Sequence, residues 1–262
     1  MNSLILMYHD IFLKSPEPFI PRSSNIYHIS EQTFIEHLNQ IKKSKVNVVG
    51  LTKLSTSKDS ISLTFDDGWI GAFKIGLPII KEFGFKCTFF ITKSFVGRQG
   101  FVNEKGIVMA SEAGMEIGVH GTTHRMLSNC SNDEILWEFK NCRKYLESLT
   151  GQNIISASMP GGDWNKNIAS CAKEAGFKNL CVSTPGINYS YTNSYKLQRI
   201  AITDKTNGRD ISRYCDKDIS KELIKSRFFN LPKKILGMRK YSNLRRWILG
   251  ENKNSNSEIF KP

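Results

Sequence analysis

No stretch of the 262-residue chain approaches the roughly 20 consecutive apolar residues that a bilayer-spanning helix requires. The opening residues carry no basic segment ahead of the short apolar run Leu4–Tyr8, so no export signal is read there. Cysteine is sparse, and its six copies form no CxxC pair and have no closely spaced histidine partners, which argues against a zinc knuckle or a redox dithiol. Reduced, mostly buried thiols are expected instead, and with them a cytoplasmic address. There is no internal repeat and no low-complexity block. Histidine occurs only five times, so any pair of histidines at ligand spacing stands out.

What is present is enough apolar material for one substantial core, 40% of residues with 11% aromatic. The net charge of +13 is unevenly placed. Residues 1–210 hold 24 basic and 19 acidic side chains, whereas the last 52 hold 13 and 5, so the basicity belongs to a tail. No nucleic-acid-binding motif accompanies it, and no nucleic-acid partner is expected. Short β-branched runs recur at Leu4–Tyr8, Val46–Gly50, Ser60–Phe65, Cys87–Thr92, Glu116–His120, Ile154–Met159, Asn179–Val182 and Leu197–Ile202. Helical periods separate several of them, as in Phe34, Leu38 and Ile41 behind Ser30, and in the helix opened by Ser131 and Glu134. Repeated β–α units with unbroken apolar strands predict a parallel sheet, and seven or eight units favour a barrel related to the (β/α)₈ type. The catalytic unit is expected over 1–205, with 206–262 as a basic, partly helical extension whose end is disordered.

Three segments could carry chemistry. Asp66-Asp67-Gly68 ends an apolar strand, where parallel α/β folds keep their active sites, although the same residues also make a good turn. Two carboxylates in succession point to opposite sides and can take different tasks. His120 and His124 end a second strand at a spacing that lets two imidazoles face one cation, and a carboxylate from a neighbouring strand completes a three-ligand set with open positions. Pro160-Gly161-Gly162 follows a third strand and is either a plain turn or a place where backbone N–H groups approach a ligand.

Thr64-Phe65-Asp66-Asp67-Gly68, His120-Gly121-Thr122-Thr123-His124 and Pro160-Gly161-Gly162, in this order, resemble the polysaccharide deacetylases, the NodB-homology group of carbohydrate esterases (family 4). The likeness extends to Met7-Tyr8-His9-Asp10, Gly84–Phe90 and Leu197-Gln198-Arg199-Ile200. It implies an α/β fold, an irregular (β/α)₇ barrel, and hydrolysis of an N-acetyl group from an amino sugar of a polysaccharide or of its lipid- or nucleotide-linked precursor. By the resemblance Asp67, His120 and His124 hold a divalent metal, zinc first, with cobalt, nickel or manganese as substitutes, and Asp66 is the general base.

Three positions depart from that pattern. Gly121 replaces a Ser or Thr. Ser158 stands where an Arg orients the base, and Arg199 is the candidate replacement. Ile200 stands where a late His acts as general acid. Because no His follows His124, His9 at the end of the first strand is the candidate acid, as in family members whose order looks circularly permuted. His28 lies in an irregular polar segment and His37 is expected on a helix surface. Trp69 and Trp164 are candidates for stacking on a sugar ring, with packing as the alternative for each, and Tyr189 and Tyr191 are weaker candidates. A deformylase or other N-deacylase of a lipid-linked sugar is the alternative activity, and a sugar-binding pseudoenzyme the alternative class. Residues 220–250 interleave nine basic residues with apolar ones, a composition suited to an anionic membrane surface, which would place the protein at the inner face of the membrane.

Overall fold

The computed structural model describes residues 2–16, 22–54 and 59–227. Six strands lie parallel as neighbours in chain order: β1 (Asn2–Tyr8), β2 (Ser60–Phe65), β3 (Cys87–Ile91), β4 (Glu116–Val119), β5 (Ser156–Ser158) and β6 (Asn179–Cys181). A seventh, β7 (Ile200–Ala201), pairs with β1 through Leu6 and Met7. Just before it, Leu197 bridges to Cys181 of β6, with the Leu197 N–H donating to the Leu180 carbonyl at 2.9 Å. Residues 197–202 therefore close the ring, and the architecture is the irregular seven-stranded α/β barrel that the resemblance implies, where the strand pattern by itself left seven or eight units open. Val46–Gly50 does not become an eighth stave. Only Asn47–Val48 pairs, against the first residues of β2, because β3 occupies the rest of that edge from Leu63 onward.

Helices cover the outside of the ring, which is why its strands are buried on both faces and read as continuous apolar runs. They are α1 (Glu31–Ser44), α2 (Leu77–Glu82), α3 (Glu104–Glu112), α4 (Asn132–Thr150), α5 (Lys166–Glu174) and α6 (Gly208–Cys215). Side chains satisfy the free N–H groups at their starts: Ser30 for α1, Asn103 for α3, Asn165 for α5, and full capping boxes at Ser131 with Glu134 and at Asn207 with Asp210. A π-helical turn, Ala72–Gly76, runs into α2.

The folded body continues past residue 205. Ile211 and Tyr214 of α6, one turn apart, are buried together with Thr206 and Ile219. With Gly208, Ile211 and Tyr214 as its buried residues, this eight-residue helix is too short for its period to be seen in sequence. Residues 228–262, the greater part of the basic extension, lie outside the described residues. No helix among the described residues is long and apolar enough to cross a membrane.

His37 anchors this C-terminal segment and is not on the surface. It is fully buried on α1, its Nε2 lying 3.1 Å from the Thr206 carbonyl and its Nδ1 3.4 Å from the Tyr8 hydroxyl. Burial disfavours the imidazolium and outweighs the Thr206 carbonyl, so the pKa falls below its ordinary value. The stabilisation it confers is complete above the unfolded-state pKa of about 6.5 and is lost as pH falls below it. Urea unfolding of the wild type should show stability declining from pH 7.5 towards pH 5, with a shallower decline in His37→Gln, which keeps a donor for Thr206 but cannot titrate. Equal slopes would show that His37 does not carry the effect.

Candidate active site

The site lies at the C-terminal ends of the strands, where side chains leaving neighbouring staves converge. Asp66 and Asp67 follow β2, His120 follows β4, and Ser158 closes β5. The chain bends sharply at Asp67, whose φ of 73° is left-handed, followed by Gly68 at 91°. That turn sends the two carboxylates different ways.

Asp67 faces the histidines. Its Oδ1 lies 3.2 Å from His120 Nε2 and 3.1 Å from His124 Nε2, and the three ligand atoms all fall within 4.8 Å of one another. Burial alone would raise the Asp67 pKa, but the two imidazoles hold it well below the usual carboxylate range. Ser158 donates to Asp66 Oδ1 at 3.4 Å, and its oxygen also lies 2.6 Å from His120 Nδ1. Two imidazoles and a carboxylate that converge in this way fit a divalent cation with positions left for water and substrate.

Asp66 faces the other way, into a buried ion pair. Arg199, entering from the ring-closing segment, meets it with two parallel bonds, Nη1 to Oδ1 and Nη2 to Oδ2, both 2.7 Å. The guanidinium, fully buried, also donates to the Val182 carbonyl at 3.1 Å and to Thr64 Oγ1 at 3.3 Å. Burial would raise the Asp66 pKa, yet Arg199 and His120 bring it below the ordinary value. Arg199 thus stands against Asp66, while the Ser158 position links Asp66 to His120.

His9 leaves β1 towards both carboxylates. Its ring stacks on Tyr27 at 4.6 Å, and its Nδ1 is buried without a hydrogen-bond partner. Burial lowers its pKa, opposed by the charges of Asp67 and Asp66. Ile200, at the place of the late His, is buried in β7. Pro160 is buried, and Gly161 and Gly162 take left-handed φ of 69° and 68°. A side-chain carbon on Gly162 would lie 2.2 Å from Ser183 Cβ, so only glycine fits. These two glycines line a cleft of about 560 Å³ that also reaches Tyr27 and Arg199.

Neither tryptophan offers a free platform. Trp69 is 1% exposed, its indole N–H donating to Asp67 Oδ2 at 3.0 Å and its ring stacked on Phe101 at 4.3 Å. It holds a ligand's second oxygen, because an indole is buried readily once its N–H is satisfied. Trp164 is packed against the core, donates to the Tyr195 carbonyl at 2.7 Å and carries Lys196 over its ring at 4.4 Å. Tyr189 and Tyr191 stack on each other in solvent beside the N-terminal end of β1, opposite the site.

Three supporting groups escaped the sequence reading. Glu138 of α4, 1% exposed, accepts from the N–H groups of Thr122 at 2.6 Å and Thr123 at 2.8 Å and from the Thr123 hydroxyl, clamping the loop between the two histidines. The signal was available, since Glu138 falls on the face of Ile135, Phe139 and Cys142. The clamped loop requires Gly121 at a φ of 79°, which accounts for the missing Ser or Thr. His28 and Asp10 form a buried pair at 3.1 Å, and His28 meets Trp69 edge-on at 4.8 Å.

Trp69→Phe removes the bond to Asp67 together with part of the buried indole. Because outer-shell partners of metal ligands are typically worth 10- to 100-fold, its zinc affinity in competition with a chelator should fall by about that factor at a temperature where circular dichroism shows the variant folded. Unchanged affinity would remove Trp69 from the ligand-positioning role.

Comparison with known proteins agrees with this geometry. The family model for polysaccharide deacetylase matches residues 53–180, which contain both acidic and both histidine positions. The Bacillus subtilis protein YxkH, named as a polysaccharide deacetylase, is 21% identical over 220 residues, covering 81% of this chain and 75% of its own. A Bacillus cereus peptidoglycan-N-acetylglucosamine deacetylase is 26% identical over 121 residues, or 46% of this chain and 54% of that protein. Among solved structures, the Streptococcus pyogenes deacetylase PplD in complex with acetate superposes with a TM-score of 0.73 at 23% identity, covering 80% of this chain and 96% of its own. A de-N-acetylase from Aggregatibacter actinomycetemcomitans gives 0.71 at 17% identity, covering 82% and 100%. At these identities the structural likeness is one of fold, and the family match adds the acidic and histidine segments: residues 53–180 of the chain match the polysaccharide deacetylase family of hydrolases.

Proposed function

We propose that the protein hydrolyses the N-acetyl group of an amino sugar carried on a glycan or on its lipid- or nucleotide-linked precursor. The observation that carries the reading is the division of labour between the adjacent carboxylates. Asp67 turns to the Nε2 atoms of His120 and His124, close enough together to hold a cation between them, and Asp66 turns to Arg199. A divalent cation held by Asp67, His120 and His124, zinc in the first instance, supplies Lewis acidity that polarises the acetyl carbonyl and makes water a better nucleophile. Asp66 is the group placed to take the proton from that water, and Arg199 keeps it ionised and aimed. His9 faces the same carboxylates from β1 and would return a proton to the departing amine. Its lowered pKa makes the imidazolium a strong donor towards a more basic nitrogen.

Asp66→Asn should retain stoichiometric zinc and lose most turnover of an N-acetylated chromogenic substrate, whereas His120→Ala or His124→Ala should lose metal and turnover together. Full activity in Asp66→Asn would refute its role as base.

His9→Ala should lower turnover by about 10²–10⁴ with metal content unchanged, and the alkaline limb of the pH–rate profile should disappear. Wild-type rates in this variant would return the acid to another group. The activity itself is tested by following loss of one acetyl unit by mass spectrometry across a panel of lipid-linked and nucleotide-linked amino sugars. Loss of a formyl or longer acyl group instead would favour the N-deacylase alternative. A polar cleft beside Gly161 and Gly162 gives the remainder of the sugar a place on the rim. Action from the cytoplasmic side, with residues 220–250 against anionic lipid, completes the proposal.

A further inference from the structure

Outside the catalytic rim, a groove of about 940 Å³ lies between the turn leading into α2 and the start of α3. Its size falls within the range of cavities that take whole small ligands. The apolar part of its surface comes from Phe73, Leu77, Phe101 and Met109, the last 55% exposed to solvent. Lys74, Lys81 and Lys105, all exposed, stand along it, and none of its described lining residues is acidic. An apolar floor with cationic borders complements one kind of molecule, an aliphatic chain ending in an anionic head.

The groove also touches the catalytic loop from behind. Phe101 stacks on Trp69, which holds Asp67, and the backbone joins the two segments through Ile70 N–H to the Gly100 carbonyl and Val102 N–H to the Gly68 carbonyl, both 2.9 Å. A chain lying there would therefore sit against the same loop that positions a metal ligand, as a substrate's own carrier must and a general membrane contact need not.

We propose that this groove holds the aliphatic chain of a phosphate-bearing lipid carrier, with Lys74, Lys81 and Lys105 around the phosphate. The proposal rests on the deacetylase reading only for why the carrier is brought here, and it narrows the substrate from a nucleotide-linked to a lipid-linked amino sugar. The full-length protein is titrated calorimetrically with dodecyl phosphate below its micelle concentration, with dodecanol and inorganic phosphate as controls. Saturable binding of one dodecyl phosphate is expected, at least tenfold weaker for dodecanol and undetectable for inorganic phosphate. The triple variant Lys74→Glu, Lys81→Glu, Lys105→Glu, altered only at exposed positions, should bind dodecyl phosphate at least tenfold more weakly, and Met109→Asp should do likewise. Equal binding by the triple variant would overturn the proposal, since it would place the ligand elsewhere on the basic chain. Binding only to phosphatidylglycerol vesicles, with none to monomeric dodecyl phosphate, would overturn it in favour of a membrane surface. Turnover of a soluble N-acetylated substrate is measured separately. Its absence in the wild type would refute the deacetylase reading while leaving the lipid measurement intact.

Discussion

The buried ion pair between Asp66 and Arg199 is the constraint on which the rest of this site depends. A carboxylate and a guanidinium removed from water each lose several kcal/mol of hydration, and only close, bidentate geometry with the remaining donors satisfied offsets that loss. The geometry is bidentate, and Arg199 gives two further N–H groups to Val182 and Thr64. The pair joins β2 to the segment that closes the ring, so the orientation of the base and the integrity of the barrel share one interaction. It also explains how the protein can carry Ser158 at a position where an arginine would otherwise stand. With the guanidinium arriving from the opposite side, a small hydroxyl fits between Asp66 and His120 and serves both.

Around this pair the backbone is held where it would not otherwise stay. Asp67 and His124 are non-glycine residues in the left-handed region, a conformation that costs of order 1–3 kcal/mol each and persists only when the surroundings impose it. Those surroundings are identifiable. Trp69 and the two imidazoles fix Asp67, and Glu138 fixes the Thr122–Thr123 peptides that deliver His124. A charged residue at the core of α4 is thus compensated by three donors from one loop, a satisfied polar cluster and not a defect of packing.

Much of the fold was legible because the strands are buried on both faces. Seven of the eight apolar runs became staves, and the eighth failed for lack of a free edge. The convergence of Asp67, His120 and His124 was legible from spacing, and the pairing of Arg199 with Asp66 from the absence of an arginine at Ser158. Orientation was not. Trp69 read as a sugar platform because sequence does not say which way a side chain points, and the structure turns it inward to satisfy Asp67. His37 read as a surface residue because it flanks the apolar face of α1, and the packing of α6 covers it. Glu138 carried a local signal, a carboxylate among apolar helix positions, but its partners lie 15 and 16 residues away across a loop whose shape no periodicity encodes.

The closure of the ring by residues 197–202 has a consequence for the order of events during synthesis. The segment bearing Asp66, Asp67, His120 and His124 leaves the ribosome well before Arg199 does, and domains are made from the N-terminus at about 5–20 residues per second. A nascent chain of some 150 residues would carry Asp67, His120 and His124 but lack the partner of Asp66 and the closing stave that pairs with β1. Pairing the first strand with this closing segment is a contact of very high sequence separation, the kind that forms late and slowly. Asp66 therefore gains its partner last, and a truncated or stalled chain would hold the histidine cluster without the Arg199 ion pair.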